Sequence, residues 1–152
     1  MYPDFSPKMV GAICGGRARS VHVRSLTTNS VGAILRQNVI RKTTKLMTDK
    51  ANIYKAVGRE FFTHESVDHG KYEWSRGTVH TNTIEGFFSI FKRGMRGVYQ
   101  HCKEKHLHRY LAEFDFRYSN RQAQSIGDTE RADIALTSIV GKRLTYETAR
   151  IQ

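Results

Sequence analysis

TNTIEGFFSIFKRGMRG, residues 81–97, decides how the rest of the chain is read. Ile84, Phe87, Phe88, Phe91 and Met95 recur at the spacing of one helix face, and Gly94 and Gly97 mark where that helix ends. The other face is polar and mixed in sign. Glu85, Ser89, Lys92 and Arg96 fall at i, i+4, i+7 and i+11, which aligns them in one stripe. Phosphoryl transfer on nucleic acid uses this mixture, because carboxylates hold divalent cations while nearby Lys and Arg grip the flanking phosphates. The segment also has a purely structural reading, a capping box in which Asn82 caps the helix and Glu85 reaches back to the first amides. Both roles can coexist. The phenylalanines read as core, since a helical apolar stripe is the ordinary way to bury a helix.

Upstream, the signals alternate between strand and helix. MVGAIC (9–14) reads as an apolar strand, Gly15-Gly16 as a tight turn, and ARSVHVRSL (18–26) as the returning strand of a hairpin. Ser30 is the expected cap of a short helix carrying Val31, Ile34, Leu35 and Val39. KLMTD (45–49) reads as a buried strand that ends in a carboxylate, Asp49, the natural partner for Glu85 at a metal. A second short helix near residues 51–58 and a strand near 61–67 follow. Downstream, a helix over 103–121 places Leu107, Tyr110, Leu111, Phe114 and Tyr118 inward, and a last helix, capped by Asp128 or Thr129, stops at Gly141. Residues 1–8, with the prolines Pro3 and Pro7, read as an extended lead-in to a single α/β domain over 9–152.

Composition narrows the function. The chain has 152 residues, 25 Lys+Arg against 14 Asp+Glu, and a formal charge of +11. At 39% hydrophobic it has material for a core, so it is not a disordered basic tail, and its charge favours a polyanion, with nucleic acid the default partner. Two cysteines, Cys14 and Cys102, in no CxxC pair, indicate neither a disulfide framework nor a structural zinc site. No apolar run approaches the roughly 20 residues that span a bilayer, so the expected location is the cytoplasm, with no membrane partner.

HESVDHGKYEWSRGTVHTNTIEGFFSIFKRGMRGVYQHCKEKHLHRYLAEFDFRYSNR, residues 64–121, resembles the C-terminal half of the catalytic domain of bacterial insertion-sequence transposases of the ISXO2-like DDE family. HTNTIEGFFS, FKRGMRGVYQH, KHLHRYLAEFDFRY and the late GKRLTY carry the resemblance, and MTDKANIYKAVGREF upstream is similar to the segment bearing the second catalytic aspartate. The resemblance implies an RNase H-like mixed sheet flanked by helices. It also implies an acidic triad on two Mg²⁺ (or Mn²⁺) ions that nicks element ends and joins the freed 3′-OH to target DNA. Asp49 is then the second acid, and either Glu85 or Asn82 the third; Glu85 is favoured because a carboxylate binds a hard cation better than an amide does. His80, Lys92, Arg93, Arg96, Arg117 and Arg121 are the implied DNA contacts, with Glu113, Arg117 and Arg121 forming a second polar stripe.

The family's first aspartate lies in a D-E-x-Y-like strand upstream of the hairpin, and Asp4 lacks that context. The expectation is a catalytic domain without its first central strand, with hairpin and strand edges left open and the isolated chain inactive. A competing reading is a non-catalytic DNA-binding remnant that interferes with a full-length transposase by occupying its DNA or pairing with it; homo-oligomerisation is a further option. An RNA-binding protein would explain the charge but leave Asp49, Asn82 and Glu85 idle. His101, Cys102, His106 and His108 form an HCx3HxH cluster better suited to phosphate contacts or helix caps than to zinc. Trp74 is read as a packing or a base-stacking residue.

Overall fold

The computed structural model describes residues 8–100 and 102–141. Asp4, His101 and the segment GKRLTY beyond Gly141 lie outside the described residues, as does most of the expected lead-in. The chain divides into two compact units, residues 1–119 and 120–152.

The first unit is built around a hairpin. Strand β1 (Met9–Cys14) pairs antiparallel with β2 (Arg17–His22). Gly15 and Gly16 turn the chain at φ 54° and 76°, the left-handed geometry that a two-residue hairpin needs. Because strand side chains alternate, the hairpin feeds two cores. Ala18, Met9 and Ile13 pack against Phe87, Phe91 and Met95 of α3 (Asn82–Gly94, with its continuation) and Leu107, Leu111 and Phe114 of α4 (Leu107–Ser119). Val10 and Ala12 pack with Val31 and Leu35 of α1 (Thr28–Asn38) and Val57 of α2 (Ile53–Gly58). Helices thus cover both faces of the hairpin.

Strand β3 (Lys45–Asp49) pairs in parallel with β4 (Thr63–Val67), with Asp49 opposite Val67. A parallel pair needs a crossover, and α2 supplies it. A short ribbon, β5 (Ser75–Arg76) with β6 (Val79–His80), leads into α3, and β6 lies beside both β3 and β4. The expected mixed α/β class holds, but the strands form three separate two-stranded ladders in place of one mixed sheet.

One edge of the hairpin is sealed by side chains. Asp115 of α4 accepts the Ser20 amide at 2.8 Å and the Ser20 hydroxyl at 2.7 Å, and Ser119 Oγ accepts the Ala18 amide at 3.0 Å. These are the outward-facing donors of β2, so α4 satisfies an edge that would otherwise recruit another strand. Gly94 lets α3 approach α4 closely: a Cβ there would stand 2.5 Å from the Phe114 ring.

Local corrections have physical causes. The α1 cap is Thr27, not Ser30; Ser30 is its reciprocal partner, receiving the Thr27 amide while its own amide donates to Thr27 Oγ1. Asn82 is the first residue inside α3 and does not cap it. Thr81 precedes the helix and commits its hydroxyl to the Glu85 carboxylate, so no capping box forms. Beyond Gly94 the chain continues as a π turn, Met95–Tyr99, that keeps Met95 buried. Helix α4 begins at Leu107 after a 3-10 turn, Glu104–His106, and ends at Ser119, so Arg121 is not on its stripe.

In the second unit, α5 (Asp128–Ile139) is preceded by Gly127, so neither Asp128 nor Thr129 caps it. Arg131 donates to the Asn120 carbonyl at 2.7 Å and pairs with Asp128 at 3.0 Å. None of α5 is buried.

Candidate active site and nucleic-acid face

The end of β3 presents Asp49 exposed, its Oδ1 accepting the Ala51 amide at 3.2 Å. This turn fixes the carboxylate at the strand end. The Asp49 charge also helps burial to push the neighbouring Tyr54 phenol up. Lys50, the next residue, pairs with Asp68 at 2.8 Å, and Asp68 in turn accepts the Gly70 amide. That pairing raises Lys50 and lowers Asp68 from their ordinary values, through the hydrogen bond first and the charge second for Lys50.

His69 carries the connection onward. Its Nε2 lies 2.9 Å from Thr81 Oγ1 and 3.0 Å from Glu85 Oε1, while its Nδ1 is buried without a partner and Trp74 packs on the ring at 4.9 Å. Thr81 donates to the same Glu85 oxygen. The result is a line of contacts from the end of β3, through Lys50, Asp68 and His69, to the first turn of α3. Sequence reasoning did not single out His69, and no spacing signal could have found it, since the fold alone brings it to Thr81 and Glu85. Trp74 packs, as one of its two readings had it, yet stays 55% exposed.

Asn82 and Glu85 are both exposed on that first turn, and His80, exposed at the end of β6, immediately precedes Thr81. Asp49, Asn82 and Glu85 offer hard oxygen donors of the kind Mg²⁺ takes. Among the described residues no three of His, Cys, Asp and Glu gather where they could hold a metal.

Along α3, Glu85, Phe88, Ser89, Lys92, Arg93 and Arg96 line one open groove. The three cations are exposed and take part in no ion pair with a described acid. Arg117 differs: it pairs with Glu113 at 3.3 Å, and Glu113 also accepts the Tyr99 hydroxyl at 2.7 Å. This i, i+4 pair leaves the Arg117 side chain exposed.

A family model, the ISXO2-like transposase domain, matches residues 9–119, most of the chain and all the elements just described from β1 to α4. The chain belongs to the ISXO2-like transposase domain family. Neither a curated protein nor a solved structure matches it significantly. Membership places this transposase domain in DNA transposition, among enzymes that transfer polynucleotide strands, with DNA as the macromolecule it meets. None of its described helices is long and apolar enough to cross a membrane.

Proposed function

We propose that this transposase domain holds DNA along the outer face of α3 and supplies part of a catalytic acid set. Asp49 comes from the end of β3 and Glu85, or Asn82 beside it, from the first turn of α3, in an RNase H-like arrangement. The observation that carries this reading is the groove on α3, where a carboxylate and three uncompensated cations line one surface. A Mg²⁺ ion bound there would act as a Lewis acid on the scissile phosphodiester. The protein's own share is to fix the Asp49 carboxylate through the Ala51 amide, to hold Glu85 through Thr81 and His69, and to position phosphates on Lys92, Arg93 and Arg96. His80, exposed at the end of β6 just before α3, would contact the same backbone.

Phosphate contacts release counterions, so binding to duplex DNA should weaken linearly in log salt, with a slope of roughly 0.9 per phosphate neutralised. For Lys92→Ala/Arg93→Ala/Arg96→Ala we expect a slope smaller by about 3. Fluorescence anisotropy on a labelled duplex across a salt series measures this, and an unchanged slope would contradict the reading.

The ligand count supports a second element of the proposal. Among the described residues no three such side chains gather at one point, so strand transfer by the chain alone from labelled element ends in Mg²⁺ or Mn²⁺ should yield no product while DNA binding persists. Robust strand transfer would overturn it. In that state the chain would act as a DNA-binding competitor of a complete transposase, a reading favoured by the same unpaired cations.

A further inference from the structure

The HCx3HxH segment is the one sequence feature that the site on α3 does not absorb. Lys103, Lys105, His106, His108 and Arg109 occupy the 3-10 turn Glu104–His106 and its flanks, at the start of α4. The acid among them, Glu104, is taken: its Oε1 lies 3.0 Å from His22 Nε2 of β2. Lys103, Lys105 and Arg109 are exposed and share no ion pair with a described acid.

Folding gains nothing from this arrangement. Like charges within a few residues repel, and cations at the start of a helix oppose its dipole, whose positive end they face. The mutual field is visible at His106, which is pushed below its ordinary value by burial and then by Lys105, Arg109, His108 and Lys103. Meanwhile the start of α4 is anchored, because its Leu107 and Leu111 are fully buried in the core. Unfavourable charge held on a fixed platform is the arrangement that a polyanion relieves.

We propose that Lys103, Lys105 and Arg109 form a second DNA-backbone contact, carried by the start of α4 and additional to the groove on α3. It rests on the reading of the domain as a DNA-binding one. Such a contact reads no sequence; it adds affinity and fixes the orientation of the duplex against the domain.

The test uses the full chain and a labelled duplex over a salt series, comparing wild type, Lys103→Ala/Lys105→Ala/Arg109→Ala, the α3 triple variant and their combination. For the α4 triple variant the slope of log affinity against log salt should fall by about 3, at roughly one per contact, and the losses should add to those on α3. Thermal unfolding checks the fold; should the triple variant unfold, the three single variants each read about one unit of slope. A slope unchanged by the α4 substitutions but flattened by those on α3 overturns this proposal and leaves the α3 reading intact. Absence of salt-dependent binding by the wild type overturns both.

Discussion

Phe91→Ala is expected to cost about 3–5 kcal/mol of folding stability. Phe91 is 0% exposed at the centre of the core between the hairpin, α3 and α4, with its ring edge-on to Phe114 at 5.1 Å. Removing it loses the transfer energy of the ring, the aromatic pair and the packing that Gly94 makes possible, and leaves a cavity that rigid neighbours cannot fill. A loss of that size is a large part of the total stability of an ordinary domain. Urea unfolding gives the comparison, with Ile90→Ala as control: Ile90 is 51% exposed on the preceding position of the same helix and should cost far less. Similar losses at the two positions would mean that the helix is rotated from the orientation described.

Asp115→Ala is expected to be the costliest polar substitution, by about 1–3 kcal/mol, because it leaves the amide and hydroxyl of Ser20 without their acceptor. Asp115 is 6% exposed, and burial pushes its carboxyl above the ordinary value while the Ser20 hydrogen bonds and Arg19 pull it back. A raised value means that the folded state holds the proton more tightly than the unfolded one. Its contribution is therefore fully present below the unfolded value near 3.9 and is lost as pH rises through the folded value. Asp115→Asn keeps an acceptor for the amide, offers a donor to the hydroxyl and removes the charge. Subtracting its unfolding free energy from that of the wild type should expose a term that falls as pH rises from the unfolded value through the raised folded one. The difference isolates Asp115 from Glu60, which runs the other way: Arg36 first, with Arg41, holds Glu60 at about 2, so its contribution is lost as pH falls. A flat difference would contradict the buried-carboxylate account.

Much of this architecture is legible because each element's period agrees with its burial. The stripe Ile84, Phe87, Phe91 and Met95 gave α3 its inward face, and Gly15-Gly16 between two apolar runs gave the hairpin. The π turn after Gly94 was not legible, since Met95 stays inward whether the chain continues as α or π. Nor were the caps, where Thr27 and Ser30 are chemically interchangeable and neither Asp128 nor Thr129 caps the helix behind Gly127. Asp115 left a trace that could have been read: it falls four residues after Leu111 and eight after Leu107, an acid on an apolar face. What it binds lies 95 residues away in the sequence, and only the fold shows it.

The candidate site divides in the same manner. Asp49, Asn82, Glu85 and the cations of α3 were visible as residue types at telling positions, whereas the clasp of His69 and Thr81 on Glu85, and the link from Lys50 to Asp68, depend on β4 returning beside β3. The pairing of Arg117 with Glu113 is an i, i+4 contact that the sequence permits without deciding.

Mn²⁺ binding to the DNA-bound chain, followed by the loss of free-ion signal in electron paramagnetic resonance, tests the central claim, because substrate phosphates complete such an ion's coordination. If the end of β3 and the first turn of α3 share one cation, Asp49→Asn and Glu85→Gln should each weaken Mn²⁺ binding by about tenfold or more while DNA affinity at matched salt is kept. Mn²⁺ affinity unchanged by Asp49→Asn would contradict it.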